Sequence, residues 1–183
     1  MGHAKQDVPF QPLNIAVLTV SDTRTPENDT SGDALVAGLT EAGHQLATRT
    51  ICIDDVYQLR AVASAWIADA EIHAILVTGG TGFTLRDSTP EAMTPLFDKH
   101  IEGFGELFRQ VSYQEIGTST VQSRAFAGIA NRTAIFCMPG STGACKTAWN
   151  NIICEQLDSR HRPCNFVEMV MTSAVATACG SRG

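Results

Sequence analysis

The residues best suited to do chemistry follow a short apolar run near the middle of the chain. Residues 74–77 are apolar and partly β-branched, which predicts a buried strand of a parallel sheet. In the next segment, Thr78-Gly79-Gly80-Thr81-Gly82, the glycines let the backbone approach a ligand closely and direct N–H groups at it. Asp87 ends this loop, and Ser88-Thr89-Pro90-Glu91 is typical of a capped helix start. The combination predicts a phosphate or pterin site at the carboxyl edge of an open α/β sheet.

Three further segments with acids, serines or glycines each follow a predicted strand. They are Ser21-Asp22 after residues 14–20, Asp54 after residues 45–53, and Pro139-Gly140-Ser141 after residues 134–138. Because the carboxyl ends of parallel strands meet at one edge of a sheet, we expect these segments and the glycine loop to form one site. Such loops are also ordinary structure in α/β proteins, but two isolated acids among them favour a function.

Asp54 and Asp87 are the candidate catalytic residues and metal ligands. Mg²⁺ bound to a nucleotide takes few protein carboxylates and fills its other positions with phosphate and water. Both acids also have a purely structural interpretation: Asp54 could serve the start of the next helix, where the helix dipole favours an acid, and Asp87 could belong to a helix-start turn. We favour the metal interpretation, for Asp87 ahead of Asp54.

The segment from Gly140 to Thr147 nearly matches a P-loop. The pattern requires a glycine where this chain has Cys145, and a side chain there would obstruct the backbone that wraps the phosphates. The segment is therefore predicted to be an anion-binding helix start and not a P-loop.

Composition and charge argue against several classes of binding partner. The chain has 183 residues, 44% of them apolar, and a formal net charge of −6, which argues against nucleic acid as a partner. Its six cysteines form no C-x-x-C pair and its five histidines no H-x-x-x-H pair, so zinc is disfavoured. No run of about 20 apolar residues or apolar leader is present, so we expect no membrane association and a cytoplasmic location. The cations Arg86, Arg124 and Lys146 in the candidate loops favour a small anionic ligand.

Alternating strands and helices predict one α/β domain with a mostly parallel, doubly wound sheet. Helices are predicted from an [ST]-x-x-[DE] start at Thr30, after Asp54-Asp55, over residues 104–111 and through residues 148–157. Residues 113–131 are predicted to hold short strands or an irregular excursion. The chain divides into a lead-in at 1–13, a domain at 14–162 and a small-residued apolar tail at 163–183, which we expect to cover a neighbouring subunit.

These motifs resemble the MoaB/Mog family of molybdopterin-binding proteins from about Asn14 to Phe166. The matching segments, each with its position here, are V-S-D-T-R (20–24), D-T-S-G (29–32), T-G-G-T-G-F-T-L-R-D-S-T-P-E-A (78–92), E-G-F-G-E-L-F-R-Q-V-S-Y-Q-E-I-G-T-S (102–119), Q-S-R-A-F-A-G-I-A-N (122–131) and M-P-G-S-T-G-A-C-K-T-A-W-N-N-I-I (138–153). The E-G-F-G-E-L-F-R and A-C-K-T-A-W-N-N-I-I segments are most similar to the MoaB branch.

The resemblance implies a three-layer α/β/α domain that forms a trimer or a hexamer. It also implies transfer of AMP from Mg·ATP to molybdopterin with release of pyrophosphate. It places Asp54 and Asp87 by the metal and the reacting phosphates, Ser112 and Ser123 at the pterin side, and Gly140-Ser141 in a phosphate-binding turn. Some MoaB-branch proteins lack the acid corresponding to Asp54, and this chain retains it. The remaining residues assigned to substrate binding are Ser21, Asp22, Thr78, Gly79, Gly80, Thr81, Gly82, Ser88, Arg124 and Pro139.

Two other functions fit the sequence. One is a molybdopterin-binding or carrier protein without catalysis, and the other is an oligomeric scaffold for cofactor-synthesis proteins, whose marker would be an exposed apolar patch such as residues 166–179. The molybdenum and tungsten pathways fit equally well.

Overall fold

The computed structural model describes residues 8–172, and six strands there form one sheet. The strands are β1 (Asn14–Val20), β2 (Gln45–Cys52), β3 (Ala74–Thr78), β4 (Lys99–His100), β5 (Phe126–Ala130) and β6 (Thr133–Met138). Their order across the sheet is β2-β1-β3-β6-β5-β4. The first four strands in that order run parallel, and β5 and β4 are antiparallel to their neighbours.

The helices alternate with the strands as predicted. They are α1 (Thr30–Glu41), α2 (Val56–Ala68), α3 (Thr89–Met93), α4 (Glu102–Ile116), α5 (Thr142–Ala148), α6 (Cys154–Gln156) and α7 (Val167–Met171). A π-helical turn (Trp149–Ile153) joins α5 to α6, and 3₁₀ turns follow α3 (Thr94–Leu96) and α4 (Gly117–Gln122). This arrangement confirms the predicted α/β fold with a mostly parallel sheet.

The alternation of side chains along β1 explains the three layers. Ile15 and Val17 pack on one face of the sheet, in a core cluster that includes residues of α1, α4, α5 and α7. Ala16 and Leu18 pack on the other face, against α2 and α3. Successive side chains of a strand point to opposite faces, so a strand buried on both faces is apolar throughout.

Strand register brings the predicted loops to one edge. Thr19 of β1 pairs with Thr78 of β3, and Thr78 in turn pairs with Met138 of β6. Val20 pairs with Cys52 of β2. The four parallel strands therefore end at nearly the same level, and the loops that follow them leave the sheet side by side.

One predicted helix cap is wrong, and a second lacks its side-chain hydrogen bond. Asp29, and not Thr30, caps α1, because its carboxylate accepts the Gly32 N–H at 3.0 Å. Ser88 occupies the predicted N-cap position of α3, which is a single turn, but its side chain makes no capping hydrogen bond. The Ser88 hydroxyl instead donates to Asp54, and the Thr89 hydroxyl donates to the Gly79 carbonyl at 2.8 Å.

The segment at residues 113–131 is more regular than its polar sequence suggests. Helix α4 extends to Ile116, and β5 pairs with β6 through a two-residue turn in which Asn131 and Arg132 both have positive φ. Such a turn matches the twist of an antiparallel hairpin.

The ends of the described chain pack on the domain's own core. Leu13 is fully buried, and Val167 and Val170 of α7 are buried in the cluster that contains α1 and α5. The rest of the predicted tail, residues 173–183, lies outside the described residues. Among residues 8–172, no helix is both long enough and apolar enough to cross a membrane.

Candidate active site at the carboxyl edge of the sheet

The glycine loop lies where the carboxyl ends of β1, β3 and β6 are in close contact. Gly79 and Gly80 have φ values of +104° and +64°, which side-chain-bearing residues rarely adopt. A Cβ on Gly79 would collide with the carbonyl oxygen of Val20, and the Gly79 N–H donates to the Met138 carbonyl at 3.0 Å. Glycine is therefore required here for both the backbone conformation and the close approach.

The predicted phosphate-binding turn adjoins this loop. The Thr78 hydroxyl donates to the Pro139 carbonyl at 3.1 Å, and a Cβ on Gly140 would come within 3.1 Å of the Gly79 Cα. Ser141 caps α5, since its hydroxyl oxygen accepts the Ala144 N–H at 3.1 Å. Two loops predicted from separate parts of the sequence thus form one surface.

Asp54 is held by Ser88, the last residue of the glycine-loop segment (residues 78–88). Its Oδ1 accepts the Ser88 N–H at 3.0 Å and also the Ser88 hydroxyl. The Asp54 N–H donates to Oδ1 of Asp22 at 3.0 Å. Asp22, Asp54 and Ser88 therefore link the loops that follow β1, β2 and β3.

Asp22 also holds the tip of the glycine-loop segment. Nε and Nη2 of Arg86 donate to its Oδ2 at 3.0 and 2.7 Å. The Asp54 N–H and then the Arg86 guanidinium lower the pKa of Asp22 below its ordinary value of 3.8. Both side chains are substantially exposed, and ion pairs of this kind add little to stability, so the pair acts chiefly on the position of the loop.

Asp87 is held mainly by its own loop. Its Oδ2 accepts the Thr84 N–H at 2.8 Å, and its N–H donates to the Thr84 carbonyl at 3.1 Å. Burial raises the pKa of Asp87, but hydrogen bonds from Thr84 and Gly82 and the charge of Arg124 outweigh it, so the pKa lies below 3.8. The carboxylate is therefore ionised at neutral pH, as a metal ligand must be.

Arg124, predicted as a substrate-binding cation, contacts the glycine-loop segment itself. Its Nε donates to the Gly82 carbonyl at 2.8 Å and its Nη2 to the Asp87 carbonyl at 2.9 Å. Its Nη1 pairs with the Glu91 carboxylate. The guanidinium is consequently engaged by protein groups on three sides.

The remaining predicted serines have local roles or lie farther away. The Ser21 hydroxyl accepts the N–H groups of Thr23 and Arg24, and the Ser123 hydroxyl accepts the Ala125 N–H at 3.2 Å. Ser112 is buried on α4, and within residues 8–172 no hydrogen bond joins it to the other predicted site residues. Its place at a pterin side stays a prediction.

Asp29 and Arg49 lie beside the site and were not selected from the sequence. Asp29 is fully buried, and its Oδ2 accepts from Arg49 at 2.7 Å and from the Thr19 hydroxyl at 2.8 Å. Burial raises the pKa of Asp29, but Arg49, the Gly32 N–H and Thr19 outweigh it and lower the pKa. The sequence does contain one signal for Asp29, because an aspartate just before a helix start such as Thr30 is a preferred N-cap residue.

Asp54 and Asp87 are the residues of this edge that could hold a magnesium ion together with a substrate. Oδ2 of Asp54 accepts no hydrogen bond from residues 8–172, and it faces Gly80, where a Cβ would lie 2.7 Å away. That part of the chain holds no cluster of three or more His, Cys, Asp or Glu side chains suited to a metal. Two carboxylates beside a loop of N–H groups match an ion that takes its other ligands from phosphate and water.

The chain resembles known proteins over most of its length. The profile of a family described as "Probable molybdopterin binding domain" matches residues 16–159. Molybdenum cofactor biosynthesis protein B of Escherichia coli K12 is 57% identical over 157 residues, which are 86% of this chain and 92% of that protein. The Bacillus subtilis protein of the same name is 46% identical over 154 residues, 84% of this chain and 90% of that protein.

Solved structures show the same fold. A crystal structure of a molybdenum cofactor biosynthesis protein B superposes with a TM-score of 0.78 at 43% identity, covering 80% of this chain and 92% of that one. The tungsten cofactor synthesizing protein MoaB from Pyrococcus furiosus superposes with a TM-score of 0.70 at 35% identity, covering 79% of this chain and 92% of that one.

Proposed function

The chain belongs to the molybdopterin-binding domain family of molybdenum cofactor biosynthesis proteins, and from this premise we propose that it transfers AMP from Mg·ATP to molybdopterin. The observation that carries the proposal is the junction of Asp54 with Ser88, the residue next to Asp87. It brings the two predicted metal ligands to the same end of the glycine loop, although they come from different strand ends.

The reaction is a displacement at phosphorus. An oxygen of the terminal phosphate of molybdopterin attacks the α-phosphorus of ATP, the bond to the bridging oxygen of the β-phosphate breaks, and pyrophosphate leaves with that electron pair. The nucleophile is already anionic, so no strong general base is required. Catalysis then depends on positioning and on stabilisation of the charge in the transition state.

Each part of the edge has a role in that reaction. Asp54 and Asp87 would hold Mg²⁺, which when bound neutralises charge on the phosphates. The N–H groups of Gly80 and Thr81 in the glycine loop, and of Thr142 and Gly143 at the start of α5, would donate to phosphate oxygens. These donors explain how a protein with a net charge of −6 can bind two polyanions at one edge.

We also propose a trimer or a hexamer. Several large apolar side chains of the described residues are exposed, among them Tyr57, Val121 and Ile116 at 76%, 72% and 55%. Such surfaces are commonly covered by other copies of the chain. A monomeric mass in light scattering at micromolar concentration would contradict this assembly.

The deciding experiment is an incubation of the purified protein with molybdopterin, ATP and Mg²⁺. We expect adenylylated molybdopterin and an equal amount of pyrophosphate, both detected by chromatography and mass spectrometry. Omission of Mg²⁺ should abolish both products. Retention of molybdopterin without either product would instead identify a non-catalytic binding protein of the same pathway.

A further inference from the structure

The segment from Gly82 to Asp87 carries a predicted metal ligand but has little support of its own. It forms no helix or strand, and Phe83, Leu85 and Arg86 on it are exposed. Its internal hydrogen bonds join Asp87 to Thr84 and to the Gly82 backbone, with one more from the Arg86 N–H to the Thr84 hydroxyl. These bonds close the turn, and the exposed Arg86–Asp22 pair holds its tip, but none of them joins both ends of the segment to the rest of the fold.

Arg124 supplies that attachment from the strand on the other side of the site. It lies just before β5, its backbone N–H donates to the Thr81 carbonyl at 3.2 Å, and its guanidinium donates to the carbonyls of Gly82 and Asp87. One side chain thus holds both ends of the segment. The Phe83 ring covers the guanidinium, with the Arg124 Cζ 5.3 Å from the ring centroid.

The geometry requires arginine in particular. A guanidinium is a rigid planar fork that can donate to two carbonyls and a carboxylate at once, whereas a lysine ammonium is a compact charge on a flexible stem. The Arg124 side chain is 24% exposed and Glu91 occupies its outer side. Little of the guanidinium is left to meet a substrate phosphate.

We propose that Arg124 is the positioning residue of Asp87: it fixes the Gly82–Asp87 segment so that the Asp87 carboxylate faces the glycine loop. The inference rests on the proposed function for its effect on turnover, but not for its effect on the loop. It differs from the prediction made from sequence, in which Arg124 binds the substrate anion directly. A misplacement of about 1 Å at a reacting group lowers turnover about 10²-fold.

Arg60 provides a matched control. Its Nε and Nη2 donate to the carbonyls of Ala92 and Glu91 at 3.2 and 3.0 Å, so it also joins two backbone carbonyls across the fold. Those carbonyls lie on α3, beyond the glycine-loop segment. Arg60→Ala removes two side-chain hydrogen bonds, against three for Arg124→Ala, without releasing Asp87.

The first test follows the loop and does not require activity. Native wild-type protein, Arg124→Ala, Arg124→Lys and Arg60→Ala are treated with trypsin, and cleavage after Arg86 is timed by mass spectrometry. We expect cleavage about tenfold or more faster in Arg124→Ala, intermediate in Arg124→Lys, and unchanged in Arg60→Ala, since proteolysis follows local opening. Unchanged cleavage in Arg124→Ala, or an equal rise in Arg60→Ala, would overturn the proposal.

The second test separates positioning from substrate binding. In the AMP-transfer assay we expect Arg124→Ala to lower kcat about 10²-fold while KM for molybdopterin changes less than about twofold, with part of kcat restored by added guanidinium chloride. A raised KM with wild-type kcat would overturn the proposal, because it would place Arg124 in contact with the substrate. If the wild-type protein transfers no AMP, the proposed function fails, while the tryptic test still decides the role of Arg124 on the loop.

Discussion

The two edges of the sheet use different titratable groups to connect neighbouring segments. At the carboxyl edge, the carboxylates of Asp22 and Asp54 accept hydrogen bonds from residues of other loops. At the amino edge, two histidines accept the N–H groups at the start of β1: Nδ1 of His44 accepts from Leu13 at 3.1 Å, and Nδ1 of His73 accepts from Asn14 at 2.9 Å.

The protonation states of the two edges differ as well. Burial lowers the pKa of His44 below its ordinary 6.5, with partial opposition from Asp158, and burial likewise lowers the pKa of His73, with partial opposition from Glu71. Both imidazoles are therefore neutral at pH 7 and act through a lone pair. Since a neutral acceptor joins strands without attracting a cation, we propose that the chemistry lies at the acidic edge and that the histidine edge contributes stability.

The substitution Asp87→Asn is the strongest test of the proposal that the chemistry lies at the acidic edge. Loss of the charge should lower AMP transfer at least about 10²-fold, because transition-state charge is no longer balanced, while molybdopterin binding stays largely intact. Steady-state kinetics and fluorescence titration with molybdopterin measure the two effects. An active Asp87→Asn protein would remove this acid from the mechanism.

A smaller effect is expected at Asp54. Asp54→Asn should lower kcat about tenfold or more, but less than Asp87→Asn, and Ser88→Ala should lower it about tenfold, since a hydrogen bond to a charged group contributes about 1.5–3 kcal/mol. Because Ser88 would act through Asp54, the double variant should be no worse than Asp54→Asn alone. Additive losses in this double-mutant cycle would show that the two residues act independently.

At the histidine edge the expected loss is in stability. His44 packs between Phe10 and Trp149, and His44→Ala removes both this packing and the acceptor for the Leu13 N–H. We expect the free energy of unfolding to fall by about 2 kcal/mol, with kcat unchanged for the folded protein. Urea denaturation measures the change, and His100→Ala on the exposed edge strand is the control. A loss of kcat with unaltered stability would contradict the proposal that the histidine edge contributes stability and not catalysis.

The smallest expected effect is the pH dependence of stability. Above about pH 6.5 both histidines are neutral in the folded and the unfolded chain, so they contribute fully to the free energy of unfolding. As the pH falls below 6.5 the unfolded chain takes up protons that the folded chain does not, and stability decreases. The aspartates with lowered pKa add their own loss only near and below pH 3.8. Thermal melts should therefore show a decline of Tm between pH 6.5 and 5, and a constant Tm there would contradict the neutral histidines.

Local sequence determined where the chemistry could lie. The apolar strands, the glycine loop and the acids at strand ends are patterns of a few neighbouring residues, and the parallel register then placed them on one edge, as predicted. The positive φ of Gly79 and Gly80 also agrees with a loop that only glycine permits.

Only the tertiary structure decided which polar groups meet. The Ser88 side chain bonds to Asp54, 34 residues away, and not to its own helix, while Arg124 donates to the Gly82 carbonyl across 42 residues. Sequence patterns describe near neighbours, whereas a hydroxyl or a guanidinium bonds to whichever acceptor packing brings within about 3 Å. The loops that meet at the carboxyl edge were therefore predictable from the chain, but Asp29 with Arg49 and the positions of the acids depended on contacts that only the folded sheet creates.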